Sequence, residues 1–224
     1  MKTRLKVMDL KNCDAYFFDF DGVLVDSVEV KTRAFAKLFE HFGPSIEDAV
    51  VDHHRKNGGM TRTDKFKCYY REFLDLPLDE TELSQLCARF AAIVVDEVVA
   101  APEIPSSSLF VRRCCQDAPC FIVSATPETE IRDIVSRRSW SKYFRDVLGA
   151  PVSKKDHLAK LLRDHGFAPT RCCFFGDAES DYQAAKACGV PFIGVLPGPC
   201  APLLKAAPEI AWIRDFSEIL CIMT

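Results

Sequence analysis

The sequence predicts an α/β fold, a doubly wound (Rossmann-like) parallel sheet interrupted by an inserted all-helical unit, and three observations predict it. Short apolar runs recur along the chain, each stopping at a polar residue or a turn. Helical stretches separate the later runs, so that strand and helix alternate. A long segment after the first run has helical periodicity and no convincing strand.

The first run, Ala15 to Phe18, is apolar and aromatic and ends at Asp19, which is the size of a strand buried on both faces. Similar runs are Cys120 to Val123 before Ser124, Cys172 to Phe175 before Gly176, and Phe192 to Val195 before Leu196 and Pro197. Asp146 to Leu148 and Ile210 to Ile213 are weaker strands. Helices are expected over Pro127 to Arg138 and Asp181 to Ala187, and Ser106 to Ser108 start another. In the insert, Val30, Ala34, Phe35, Leu38, Phe39 and Phe42 share one helical face until Gly43-Pro44 stops it. Ser45 with Asp48 reads as a capping box for the next helix, which the Asn57-Gly58-Gly59 turn ends. Phe66, Tyr69, Tyr70 and Phe73 stripe a third helix; Pro77 breaks it, and Asp79 with Glu82 opens a long one to about Val99. Pro102 and Pro105 mark the return, giving a core of residues 1–28 and 102–224 around an insert of 29–101.

Composition narrows the functional classes. A chain of 224 residues with 48% hydrophobic and 27% charged side chains can bury a sizeable core, which excludes a disordered tail. Twenty-nine basic against thirty-two acidic residues, without a block of like charge, argue against a nucleic-acid partner. The basic N-terminus is followed by no apolar stretch of secretory type, and Asp96 and Glu97 interrupt the most apolar window, Phe90 to Val95. A cytoplasmic protein with no membrane segment is expected. The eleven cysteines read as reduced thiols, because the number is odd, the chain is long, and Cys114-Cys115 and Cys172-Cys173 are adjacent rather than spaced as zinc ligands. His157 and His165 read as surface helix residues.

Three segments at strand ends carry chemistry, where open α/β sheets bind ligands. In Asp19-Phe20-Asp21-Gly22 two carboxylates follow a strand and a glycine permits a sharp turn; one carboxylate can attack phosphorus while the other transfers protons, although a polar Asp-Gly turn shows the same pattern. After Phe121 to Val123 come Ser124, Ala125, Thr126 as an N-cap and Pro127 at the first helical position, which places hydroxyls beside a helix N-terminus suited to an anion; a simple cap has the same appearance. Gly176-Asp177 brings a further carboxylate, with Asp181 one turn later, able to join Asp19 around a Mg²⁺ ion, or else a solvated acidic loop.

Together the segments resemble the haloacid dehalogenase superfamily, and the match spans the chain. Asp19-Phe20-Asp21-Gly22 resembles the first motif, Ser124 the second, Lys154 within Ser153-Lys154-Lys155-Asp156 the third, and Gly176-Asp177 through Asp181 the fourth. The helical insert lies where the phosphoglycolate phosphatase and β-phosphoglucomutase branch carries a cap. The resemblance implies an aspartyl-phosphate mechanism on a small phosphate ester: Asp19 as nucleophile, Asp21 as acid and base, Ser124 and Lys154 on phosphate oxygens with Ala125 beside them, Mg²⁺ held by Asp19, the Asp21 carbonyl and Asp177, and Asp181 in support. The adjacent Lys155 leaves the choice of lysine open. An acid at position 21 favours phosphate esters, and the His53 to Arg62 segment of the cap, Arg62 above all, is expected to meet the leaving group. A Mg²⁺-dependent phosphatase is the expected function; the alternatives are a phosphomutase and a non-catalytic phosphate- or metal-binding protein.

Overall fold

The computed structural model describes residues 10–223. Six strands form one sheet in the order β3-β2-β1-β4-β5-β6, every neighbouring pair parallel. They are β1 (Ala15–Phe18), β2 (Cys120–Pro127), β3 (Asp146–Ala150), β4 (Cys172–Gly176), β5 (Phe192–Val195) and β6 (Ala211–Ile213). The chain builds outward from β1 through β2 to β3, then starts again on the other side of β1 with β4. That reversal opens a crevice beyond the carboxyl ends of β1 and β4, where Asp19 and Asp177 follow their strands.

β1 is buried throughout because its side chains enter two cores alternately. Phe17 stacks on Phe121 at 5.5 Å on one face, under α7 (Lys154–His165) and α8 (Glu179–Cys188), which supply Leu158, Leu161, Ala184 and Ala185. Phe18 stacks on Phe175 at 5.1 Å on the other, with Phe110 of α5 (Ser107–Asp117) and Ile131 of α6 (Glu128–Arg137). Short α9 (Pro202–Ala206) and α10 (Ser217–Met223) flank β6 in sequence.

Between β1 and β2 lie α1 (Val28–Phe39), α2 (Pro44–Lys56), α3 (Arg62–Tyr69) and α4 (Glu80–Ala100). Among the described residues, 29–101 contains no strand. Ring contacts hold the four helices together: Phe35 of α1 meets Phe90 of α4 at 4.4 Å, Phe66 of α3 at 5.5 Å and His54 of α2 at 4.9 Å, and Phe39 meets Tyr69 at 5.3 Å. Asp79 caps α4 by accepting the Glu82 N–H at 2.8 Å, as its sequence suggests. The Ser45 capping box does not form. Gly43 is the N-cap and Pro44 the first helical residue, a place where the missing N–H of proline costs nothing. The far end of α4 is tied to the core by Arg138, whose Nη1 donates to the carbonyls of Val98, Val99 and Ala101 at 2.8–3.0 Å.

Ten cysteines, from Cys13 to Cys200, are free thiols, and Cys172 and Cys173 are buried in β4. His157 corrects the surface reading: it is buried and its Nε2 meets the Gly149 carbonyl at 2.9 Å, while His165 is exposed and stacks on Phe167. Among the described residues no helix is long and apolar enough to cross a membrane. The start of the basic N-terminus, residues 1–9, lies outside the described residues.

Candidate active site

The turn after β1 is shaped by Gly22, at φ +74°, a left-handed conformation that suits glycine. A Cβ there would lie 2.4 Å from Asp177 Oδ2, so glycine also lets the turn pass close beneath the acidic group of the neighbouring strand. Asp19 is 5% exposed. Its Oδ1 accepts the Phe20 N–H at 2.7 Å, and its Oδ2 lies 2.6 Å from Lys154 Nζ. Lys154 is the first residue of α7, whose N-cap Ser153 accepts the Asp156 N–H at 3.1 Å. That phase turns Lys154 inward and leaves Lys155 exposed. Lys154 also donates to Asp181 Oδ1 at 2.6 Å; the other oxygen of this fully buried carboxylate accepts the Ala178 N–H at 3.1 Å, at the start of α8.

Asp19, Asp177 and Asp181 bring carboxylate oxygens within 4.8 Å of one another. Burial raises the Asp19 carboxyl to about 7 against the pull of Lys154, with Asp181 and Asp21 adding to the rise, and burial and Asp19 hold Asp177 well above the usual range. Both oxygens of Asp181 are engaged, whereas Asp177 makes no ion pair among the described residues. Converging oxygens, with more negative charge than one lysine offsets, fit a hard divalent cation, and Asp19 and Asp177 are the carboxylates available to it.

Asp21 stands in a different environment. Burial pushes its carboxyl up, but the ammonium of Lys31 in α1 and the hydrogen bonds from Lys31, Ser27 and Thr126 together outweigh this, so the group sits below the ordinary range. Ser27 donates to Oδ1 at 2.6 Å and Thr126 to Oδ2 at 3.1 Å, while Lys31 pairs with Oδ2 and donates to Thr126 at 2.8 Å. In the metal-free site the two carboxyls thus have opposite proton affinities, the higher at Asp19 and the lower at Asp21, and a cation at Asp19 would favour the ionised form that a nucleophile needs.

The second segment differs from expectation. β2 continues to Pro127 through a register shift after Val123, and Pro127, not Thr126, occupies the N-cap of α6. Thr126 instead contacts Asp21. Ser124 is buried, its hydroxyl oxygen accepting the Thr126 N–H at 3.1 Å, and Ala125 faces the crevice.

Above the crevice a cavity of about 930 Å³ separates these residues from α1–α4, with Phe35 and Phe90 among its apolar lining. Arg62 reaches it, but its guanidinium is paired with Glu130 of α6, donates to the Cys87 carbonyl at 3.3 Å and lies 4.5 Å over the Phe90 ring. As a substrate contact it therefore carries no unmatched charge here. The Asn57-Gly58-Gly59 turn rests against the loop before α8 and the first turn of that helix: a Cβ on Gly59 would fall 2.8 Å from the Ser180 Cβ and 3.3 Å from that of Ala178. Gly59→Val is expected to hold the turn off this loop and lower kcat/KM about tenfold for a preferred ester, with the unfolding midpoint little changed; steady-state kinetics beside thermal melts check it. Unchanged kinetics would mean that this contact does not matter to turnover.

Ser27, Lys31 and Thr126 are the site residues that sequence reading misses. Thr126 stood inside a recognised segment without this partner, Ser27 followed five residues after the first one, and Lys31 carried only one usable signal, its position one helical turn after Ser27.

Residues 16–195 match the family model described as haloacid dehalogenase-like hydrolase. A phosphoglycolate phosphatase of Pseudomonas putida is 26% identical over 190 residues, covering 81% of this chain and 68% of that protein, and one from Yersinia pestis is 25% identical over 187 residues, covering 81% and 80%. Among solved structures, a predicted phosphoglycolate phosphatase from Haemophilus somnus superposes with a TM-score of 0.74 at 18% identity, covering 95% of this chain and 99% of that one. A putative β-phosphoglucomutase from Bacteroides vulgatus gives 0.75 at 18%, covering 93% and 88%. With the four segments gathered at one sheet end and the family match spanning most of the chain, the chain belongs to the haloacid dehalogenase-like hydrolases, among their phosphoric monoester hydrolases.

Proposed function

We propose that the protein hydrolyses a small phosphorylated metabolite, of sugar-phosphate kind, through a phosphorylated Asp19. The observation that carries this reading is the buried Asp19 carboxylate, 2.6 Å from Lys154 and next to Asp177 at the sheet's switch point. An Asp19 carboxylate oxygen attacks phosphorus, and the bond to the ester oxygen breaks as Asp21 supplies that oxygen's proton. Asp21, then ionised, takes a proton from a water that attacks the same phosphorus and releases inorganic phosphate and free Asp19. With Lys31 beside it, Asp21 as seen here is in the proton-accepting form that the second half needs. Lys154, the Ser124 hydroxyl and the chain at Ala125 would hold phosphoryl oxygens, and Asp181 keeps Lys154 in place. Mg²⁺, held by Asp19, the Asp21 backbone carbonyl and Asp177, would supply charge that offsets repulsion between carboxylates and phosphate. Helices α1–α4 act as a cap that excludes water, and Arg62 lies on its cavity wall.

The relatives named as phosphoglycolate phosphatases support a small ester as substrate. The test is phosphate release from a panel of metabolite monoesters. Release is expected to need Mg²⁺, to stop with EDTA and to return with excess Mg²⁺. Isomerisation that depends on a bisphosphate activator, with little phosphate released, would replace this reading by a mutase; no turnover of any ester would favour a binding protein.

A further inference from the structure

Resting on the phosphatase reading, we propose that Lys65, positioned by His54, receives a second anionic group on the leaving-group portion of the substrate, so that the substrate is a phosphate monoester bearing a carboxylate or another phosphate. Lys65 lies on α3 and His54 on α2, and both line the cavity between the helical insert and the crevice. Lys65 is 2% exposed, and lysine is seldom so deeply buried without a carboxylate partner. Four other basic side chains of the insert line the same cavity, and each faces an acid: Lys31 with Asp21, Arg55 with Glu29, Lys56 with Asp52, and Arg62 with Glu130. Lys65 faces none among the described residues. Its Nζ meets His54 Nδ1 at 2.7 Å and lies 5.5 Å from the Phe35 ring centroid, which leaves donors of the ammonium unmatched.

His54 cannot supply the missing charge. Burial, reinforced by Lys65 and Lys31, lowers its imidazole to about 3, so it is neutral, and its Nε2 has no hydrogen bond of normal geometry. Burial and the nearby Lys31 charge likewise pull Lys65 down to about 7, while the fields of Asp21 and Asp177 reach it from the crevice. A buried cation so placed is costly in the free protein and becomes favourable when an anion arrives. The Phe35 ring beside it offers no hydrogen bond to a neutral polyol, so the ammonium, with the His54 ring it meets, is the polar feature of this part of the wall.

Two substrate pairs test the inference, each differing chiefly in the second charge: phosphoglycolate against ethylene glycol monophosphate, and ribulose bisphosphate against ribulose monophosphate. In the wild-type protein the anionic member of at least one pair should have a kcat/KM about 10- to 100-fold higher, the range of one hydrogen bond to a charged group, and the pair that responds tells carboxylate from phosphate. In Lys65→Met that ratio should fall to about threefold or less. Lys65→Gln serves as a second replacement, and the wild-type comparison needs no variant. Equal or better use of the neutral members by the wild type, or a preference kept in a folded Lys65 variant, overturns the assignment. Release that ignores the second charge defeats only the role of Lys65, whereas no release from any member with Mg²⁺ present strikes at the phosphatase reading itself.

Discussion

Asp19→Asn is expected to lower kcat by at least about 10⁴-fold while leaving the fold intact, because losing a nucleophile forfeits the covalent route as a whole. The replacement is isosteric, and its amide oxygen can still accept the Phe20 N–H that Oδ1 accepts now. What disappears is the anionic oxygen beside Lys154. The stability argument points the other way from the kinetic one: burial already disfavours the Asp19 charge, so a neutral amide is easily accommodated, and Lys154 keeps Asp181 as its partner. Phosphate release from the preferred ester measures the kinetic loss, and mass spectrometry of rapidly quenched enzyme should find phosphate attached to residue 19 in the wild type alone. Hydrolysis by the Asn variant at close to the wild-type rate would remove Asp19 from the mechanism.

How much of this was legible in the sequence follows from how local each signal is. β1 and β4 could be read because strands buried on both faces are short, uninterrupted apolar runs, and the acids that end them follow directly at Asp19 and Asp177. The long helix α4 was readable to within a residue or two because Asp79 and Glu82 form its cap within one turn. The surroundings of Asp21 were not readable. Lys31 and Thr126 meet there from positions 95 residues apart, and only the closure of the sheet and the docking of α1 bring them together. Thr126 itself misled, since a threonine before proline and a helix has the pattern of an N-cap, while pairing with β3 extends the strand past it. Arg62 carried a similar ambiguity: basic residues in a cap loop suggest a substrate contact, but its partner Glu130 is 68 residues away on α6. The choice between Lys154 and Lys155, open in the sequence, comes down to helical phase. Successive helical residues point about 100° apart, so burying one exposes the other, and the Ser153 cap sets which.

The same lysine gives the second large effect. Lys154→Met should reduce kcat/KM about 10³-fold and destabilise the metal-free protein by about 3–5 kcal/mol, because it takes a positive charge from the transferring phosphoryl group and strands the buried carboxylates that now share it. Asp181 suffers most, being fully buried with Lys154 as its only ion-pair partner among the described residues. The destabilisation should depend on pH with a definite sign. Asp19 in the folded protein already titrates near 7, above its ordinary 3.8, although Lys154 pulls it down; without Lys154 it must rise further. A carboxyl that binds its proton more tightly when folded contributes stability that is complete below about pH 4 and is lost as pH rises through the folded value. The share of the deficit that comes from Asp19 should therefore be absent near pH 5, where Asp19 is protonated in both folded proteins, and should open above about pH 7, where Asp19 ionises beside Lys154 in the wild type and not in the variant. Urea unfolding of both proteins at the two pH values, without divalent metal, measures this difference. Equal deficits at the two values would mean that the Lys154 charge does not hold down the proton affinity of Asp19, and the argument that it balances Asp19 would fail.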